Sequence, residues 1–550
     1  MALILATLYT CYFHNLGAIG LVGPDEPRYA WIARDMAETG DWVTPRLYGK
    51  PWFEKPVLYY WGAALSFKLF GVSEASARFP SALAALLATL AMAWLAWRSC
   101  GQETARWLLL LLPTTVGMIG FSHAAATDMP FAAMLTMAMV FAAVVLGLVP
   151  QQNTAIVPRT HWLALFFFGF FLGLAVLAKG PAAIVLSGGA VLLWAAISKR
   201  WRDAFRCLHP LAILSFCLTA LPWYILCTRR NPDFFRIFII EHNFKRYLTP
   251  EFQHIQPFWY YLPVVLIAFV PWTLILLWSI VVRLFPRERK IAFSPITIFL
   301  LSWATFCLVF FSISKSKLPG YVLPSVPPIG LLVALSCVPS TPRGGNSFRW
   351  IHLGFSLLCL PAATLLAWMG YEAGSLGHRQ QMISAAYVLI LLGLANLLLS
   401  TKFSSNRYVH RIAPLCVLPI LVLVALFNPV ARAWLTPDPS AKALTPVIQQ
   451  LQFRLPASEF FVLPVNRTQK FGLSFYLHRD VQFWDPENMR EGLLLLRSGT
   501  TTQDCERYVQ APWSCLRSPI EIGSSGWVAY RVHRANTPRL PMVADPDKRP

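Results

Sequence analysis

The chain has 550 residues, of which 56% are hydrophobic and only 13% charged. A soluble domain carries about a quarter charged residues, so the composition excludes a soluble globular protein and indicates an α-helical polytopic membrane protein. The formal net charge of +21 does not mark a nucleic-acid binder, because cytoplasmic topology and anionic lipid headgroups account for much of it.

In chain order, apolar runs near the ~20 residues that a helix needs to cross hydrocarbon define roughly thirteen spans. They lie at 1–16, 80–97, 105–121, 130–149, 162–178, 181–197, 209–227, 259–282, 294–313, 321–338, 350–370, 383–400 and 411–428. The first is short and starts at Met1. It reads as a truncated span or an uncleaved anchor, since no clear small-residue cleavage site follows it. Only Lys179-Gly180-Pro181 separates the fifth run from the sixth. Every second loop is basic, with Arg98 and Arg106, then Arg159, then Lys199, Arg200, Arg202 and Arg206, then Arg283, Arg287, Arg289 and Lys290. The positive-inside rule therefore predicts a cytoplasmic N-terminus and an external C-terminus. The remaining loops, 17–79, 122–129, 228–258, 314–320 and 371–382, mix acids, bases and aromatics and all fall on the outer side.

The first outer loop is about sixty residues long, and loops of that length are usually functional. It opens on Asp25-Glu26-Pro27-Arg28-Tyr29, and 29–39 suggests a short helix lying on the membrane. Tyr48 to Phe53 is turn-like and leads into Phe53-Glu54-Lys55-Pro56. Pro56 to Phe70 reads as a second interfacial helix, with Tyr59, Tyr60 and Trp61 at headgroup depth. Ionisable groups beside a membrane are costly unless solvated, paired or in use. Asp128, before Pro130, suits a helix N-terminus as well as a catalytic acid, and Lys179 suits snorkelling as well as binding. Farther on come Glu241-His242-Asn243-Phe244-Lys245-Arg246-Tyr247 and Lys315-Ser316-Lys317-Leu318-Pro319-Gly320-Tyr321. Two lysines with a serine and a Pro-Gly bend can surround a phosphate. Glu54 with His242 or His254 are candidate ligands for a divalent ion such as zinc if the loops meet, without a ligand spacing to prove it. No cofactor is required by the motifs.

From about residue 431 the apolar runs shorten, and 431–550 reads as a small α/β domain following a membrane domain at 1–430. Lys442 to Leu451 and Met489 to Ser498 are expected as helices; Phe460 to Leu463 and Gly526 to Val532 as strands. Of eleven cysteines, only Cys505 and Cys515 lie in this polar tail, which suggests a disulfide in an oxidising compartment.

These motifs resemble the GT-C superfamily of lipid-dependent glycosyltransferases, in the bacterial branch related to protein O-mannosyltransferases. The likeness rests on Asp25, Glu26, Arg28 and Tyr29, on Phe53-Glu54-Lys55-Pro56 with Tyr59-Tyr60-Trp61, and on Thr127-Asp128-Met129-Pro130. His242 to Tyr247 and Ser316 to Tyr321 are most similar to the lipid A aminoarabinose transferases. The resemblance implies transfer of 4-amino-4-deoxy-L-arabinose from undecaprenyl phosphate to lipid A phosphates at the periplasmic face of a bacterial inner membrane, with polymyxin resistance as the outcome. It implies Asp25 and Asp128 as catalytic carboxylates. Glu26, Arg28, Tyr29, Lys55, Tyr59, Lys179, Arg246, Lys315, Lys317 and Tyr321 become substrate-binding candidates. Among them Arg28, Lys55 and Lys317 are expected on the leaving phosphate, Tyr59 and Tyr321 against the sugar or its phosphate, and Asp128 positioning Arg28 or Lys55. The expected partners are the lipid-linked sugar donor, lipid A and membrane lipids, with no nucleic acid and with the chain acting as a monomer. The alternative is a related transferase acting on protein or glycan hydroxyls. A transporter would place charges midway along spans in two related halves, and no such repeat is visible. All of this requires the outer stretches to converge into one acid-and-base pocket opening onto lipid.

Overall fold

The computed structural model describes residues 1–150, 157–248, 255–284 and 293–338 continuously, and parts of 359–534. Two compact units emerge: Met1–Ile19 with Ile32–Trp434, and Gly20–Trp31 with Leu435–Pro550.

The first unit is helical. Among the described residues six helices are long and apolar enough to span a membrane: Glu74–Cys100, Asp128–Val145, His161–Lys179, Pro210–Arg230, Pro295–Ile313 and Pro319–Ser336. Two further runs are bent, so the number rises to eight if each bent pair is one span. Gln102–Leu111 meets Val116–Ser122 at 61°, and Phe258–Ala268 meets Thr273–Val281 at 118°. Their sequences are continuous enough in hydropathy to read as straight spans; Pro113 and Pro271 break the ladders by removing a donor and clashing with the preceding turn. The two breaks satisfy one another. The Val116 amide donates to the Val270 carbonyl at 2.9 Å, and the Trp272 indole donates to Thr114 Oγ1 at 2.9 Å. Irregular backbone at membrane depth is tolerated when protein supplies its partners in this way. The first run shrinks to Ala2–Tyr12, and Ala182–Ser198 has 17 residues. The run expected at 383–400 lies within a helix, Leu376–Lys402, whereas most of 411–428 falls outside the described residues.

Asp128–Val145 is the central helix, buried along most of its length. Gly169 and Gly173 bring Val157–Lys179 against Pro210–Arg230; a Cβ on Gly169 would sit 2.0 Å from the Ala212 carbonyl oxygen. Small residues permit this close approach, which gives van der Waals packing where lipid supplies no hydrophobic drive.

The long loop at 17–79 forms the helices Asp25–Thr39 and Leu58–Phe70, with a two-residue hairpin between them at Arg46–Leu47 and Lys50–Pro51. Its turn residues Tyr48 and Gly49 have positive φ, the conformation that tight hairpins favour. In Leu58–Phe70, Tyr59 and Tyr60 are fully buried against protein, and Leu65, Leu69 and Phe70 are exposed together with Lys68.

The second unit carries a mixed sheet. Glu459–Val462 pairs in parallel with Gln482–Phe483 and with Gly492–Arg497, which in turn runs antiparallel to Trp527–Arg534. Trp513–Cys515 and Ile520–Glu521 also pair with Trp527–Arg534. The helix expected across 489–498 is therefore a central strand. Leu493 on one face and Leu494 and Leu496 on the other are buried, and a short continuous apolar run does not distinguish a buried strand from a buried helix. Cys505 and Cys515 are joined by a disulfide. The helix expected at 442–451 lies outside the described residues except for Lys442.

Candidate active site

In the first unit, the ends of distant helices meet around a groove of about 390 Å³ lined by charged, aromatic and aliphatic side chains. Its ionisable wall is Glu54, Lys55, Lys179 and His242; Tyr247, Ser314, Ser316 and Tyr321 add polar groups; Pro181, Val185, Phe310 and Phe311 are apolar. The size falls within the ~300–1,000 Å³ of small-molecule sites.

Each wall is fixed by the fold. Asp128 opens the first turn of the central helix, where the helix dipole favours a carboxylate. Lys179 is the last residue of its helix, ended by Gly180 with φ 98° and by Pro181, and the dipole favours a cation there. The Lys179 ammonium donates to Asp128 Oδ1 and lies 4.5 Å from the centre of the Tyr321 ring and 5.4 Å from that of Phe131. This ion pair was not foreseen: the sequence pointed to Asp128 as a support for Arg28 or Lys55. A Cβ on Gly320 would stand 2.7 Å from Asp128 Oδ1, so the Pro-Gly bend leaves room for the carboxylate.

Lys55 lies 3.8 Å from Glu54, both largely buried. Their loop is clamped from both sides. Phe53 packs edge-on against Phe234, with ring centres 5.1 Å apart. The indoles of Trp61 and Trp223 donate to the Trp42 and Val43 carbonyls, and Arg230 pairs with Asp41 at 3.0 Å. Burial works against the Asp41 carboxylate, but the Thr44 and Val43 amides with Arg230 and Arg46 outweigh it and hold its pKa below the ordinary value. Tyr247 stacks on Phe310 at 4.8 Å and donates to the Phe310 carbonyl; burial raises its pKa.

Several candidates are placed elsewhere. Tyr59 donates its hydroxyl to the Ala77 carbonyl at 2.9 Å and is buried against the next helix, so it does not present itself to a sugar. The Lys317 ammonium is held by the carbonyls of Ser314 at 2.6 Å and Gln256 at 3.0 Å. Burial, then the neighbouring Lys315, pull its pKa down. It ties the segments at Gln256 and Ser314 together and is absent from the groove wall, as is Lys315. The side chain of Arg246 and all of His254 lie outside the described residues. Glu54 and His242 both line the groove, but no group of three or more His, Cys, Asp or Glu side chains suited to a metal occurs among the described residues. Two ligands fall short of a tetrahedral set, and no step is assigned to a metal.

The acidic motif belongs to the second unit. Asp25 is 55% exposed and accepts from Arg28 at 2.5 Å. The Arg28 guanidinium lies 5.1 Å from the Tyr29 ring centre and 5.7 Å from that of Phe471. Glu26 accepts from the Val22 amide at 2.8 Å, capping the turn ahead of the helix. The Leu21 amide donates to the Tyr476 hydroxyl. Asp25 is thus a half-exposed acid paired with Arg28, whose guanidinium also lies beside the Tyr29 and Phe471 rings.

Known proteins bear on both units. The model of the family described as dolichyl-phosphate-mannose-protein mannosyltransferase matches residues 1–238. The undecaprenyl phosphate-alpha-4-amino-4-deoxy-L-arabinose arabinosyl transferase of Edwardsiella ictaluri is 30% identical over 531 residues, covering 90% of this chain and 94% of that protein. Its namesake from Aeromonas hydrophila is 33% identical over 74% of this chain and 72% of its own length. That from Aeromonas salmonicida is 35% identical, the match spanning 63% of this chain and 62% of the relative. Among solved structures, ArnT from Cupriavidus metallidurans bound to undecaprenyl phosphate superposes with a TM-score of 0.76 at 24% identity, over 98% of this chain and 99% of that one. Membrane helices, a charged groove at their ends and a small α/β unit define a glycosyltransferase that uses a polyprenyl-phosphate-linked sugar. Within that class, the chain belongs to the family of undecaprenyl phosphate-aminoarabinose arabinosyl transferases.

Proposed function

We propose that the protein moves 4-amino-4-deoxy-L-arabinose from undecaprenyl phosphate to a phosphate of lipid A. The observation that carries this reading is the groove in which Lys55 and Lys179 face apolar and aromatic walls: cations for a phosphate beside carbon for a lipid. The acceptor phosphate oxygen attacks the anomeric carbon. The bond from that carbon to the donor phosphate breaks, and the electron pair leaves with undecaprenyl phosphate. Charge grows on the leaving phosphate during the step, so Lys55 and Lys179 stabilise the transition state more than the ground state. Asp128 positions Lys179, and Tyr321, stacked against the same ammonium, limits where it can swing.

A phosphate monoester has a second pKa of ~6, so the acceptor is already largely ionised near neutral pH and needs little base catalysis. Asp25 then serves to orient the acceptor, to take a residual proton or to pair with the sugar's amino group; Glu26, Arg28 and Tyr29 keep it in place. The family setting favours the bacterial inner membrane, with the N-terminus cytoplasmic and the reaction at the periplasmic face. A less negative lipid A gives resistance to polymyxin.

Proteoliposomes holding the labelled donor and lipid A test the assignment. Asp25→Asn and Asp128→Asn should each lose most of the transfer, and lipid A should gain one aminopentose by mass. Near-normal turnover in both variants removes the carboxylates from the mechanism, and label in protein or glycan instead of lipid A replaces the acceptor.

A further inference from the structure

A second groove, of about 330 Å³, lies among the helices of the first unit. It is bounded by Val157–Lys179, Ala182–Ser198, Pro210–Arg230 and the short helix Trp201–Phe205. Ala182–Ser198 starts at the reactive rim, beside Lys179, and its 17 residues carry the chain about 25 Å away. The second groove runs from Ile184, near the rim, to Trp201, Phe205 and Leu208 beyond the far end of that helix.

Its side-chain walls are carbon apart from the Trp201 indole nitrogen, Cys207, a small hydrophobe, and the Ser187 hydroxyl, which is occupied by the Ile184 carbonyl at 3.2 Å. Nothing in it suits a sugar or a peptide. Gly169 forms part of the floor, where two helices come too close for a side chain, and Gly188 leaves the middle open, with nothing within 4 Å of where its Cβ would be. At the mouth, Trp201, Phe205 and Leu208 are exposed.

The polar edge beside that mouth carries Lys199, Arg200, Arg202 and Arg206 against the single acid Asp203. Asp203 is taken by Arg200 at 2.6 Å and Arg206 at 3.1 Å, and Arg200 also donates to the Leu146 carbonyl. Lys199 and Arg202 are exposed and have no acid partner among the described residues. A chain-sized apolar slot ending at two uncommitted cations matches one membrane component in both parts.

We propose that this groove is a binding site for an anionic glycerophospholipid of the leaflet opposite the reactive rim. One acyl chain lies along Gly188, and the headgroup phosphate sits on Lys199 and Arg202. The exposed aromatics of Trp201–Phe205 lie at the headgroup boundary, where amphipathic side chains are favoured.

The test is native mass spectrometry of the full-length chain, stripped of lipid and titrated with phosphatidylglycerol, with phosphatidylcholine of the same acyl chains, and with undecaprenyl phosphate. The chain should retain one phosphatidylglycerol with a preference of roughly tenfold or more over phosphatidylcholine, a modest demand on two bases near an anionic headgroup. Lys199→Gln with Arg202→Gln should bring the two phospholipids level. Gly188→Phe, which fills the slot from a position with open space, should abolish retention while leaving sugar transfer unchanged. Equal retention of both phospholipids by the unaltered chain overturns the proposal. So does displacement by undecaprenyl phosphate at equal concentration, a second copy of the chain in place of lipid, or undiminished binding by Gly188→Phe. If the phenylalanine variant does not fold, the double glutamine variant, altered only at exposed positions, decides alone.

Discussion

Gly320→Ala is the smallest change that reaches the Asp128–Lys179 pair without touching either residue. The new methyl would stand 2.7 Å from Asp128 Oδ1, 2.9 Å from its Cγ and 3.0 Å from Phe121 Cε1. Gly320 has an ordinary negative φ, so alanine alone would add about 0.4–1 kcal/mol by restricting the unfolded chain. The clash works the other way, and forcing one extra carbon into a packed site costs about 1–3 kcal/mol. The carboxylate is the part able to give, and it gives by swinging away from Lys179. A displacement near 1 Å at a positioned group lowers turnover by about a hundredfold. Steady-state transfer in proteoliposomes, with thermal unfolding alongside, reads both effects. The decisive comparison is the Asp128→Ala background, where the two closest atoms are gone. Alanine at 320 should there cost no further activity and little stability. An unimpaired Gly320→Ala protein, or the same penalty in both backgrounds, refutes the reasoning.

Tyr59→Phe should keep nearly full transfer, with a stability loss of about 1 kcal/mol for the hydrogen bond that the Ala77 carbonyl gives up; a large loss of turnover would return Tyr59 to the substrate. Asp41 titrates below an ordinary carboxyl because its anion is held by the Thr44 and Val43 amides and by Arg230 and Arg46. Its contribution is complete above the unfolded pKa of ~3.9 and is lost as the pH falls through the folded value. Melting curves taken from about pH 5 down to about pH 3 should therefore drop more steeply for the parent than for Asp41→Asn. Parallel curves would show that the clamp does not depend on this charge. Cys505→Ser with Cys515→Ser opens a short loop in the second unit, and limited proteolysis should report a loss of about 2–3 kcal/mol there, with the helical unit unchanged.

Local chemistry made much of this protein legible. Hydropathy marked the helices that open at Asp128 and close at Lys179, because an apolar run reports removal from water whatever surrounds it. Prolines at 130 and 181 marked where those helices start or stop, which put both charges at helix ends. What neither signal contains is the identity of neighbours. In lipid the packed and the exposed faces of a helix are both apolar, so no polar stripe says which way Leu58–Phe70 is turned, or that Tyr59 is buried against the Ala77 carbonyl. The same silence covers the breaks after Leu111 and Ala268, which are bridged to each other by the Val116 amide on the Val270 carbonyl and the Trp272 indole on Thr114, across more than 150 residues of chain. It covers Gly492–Arg497 too, where an apolar run fits strand or helix until its partners are in place. Charge shows that a group must be solvated or paired; only the packing of separate helices decided that Asp128 would pair with Lys179, and that Lys317 would bind backbone carbonyls rather than face the groove.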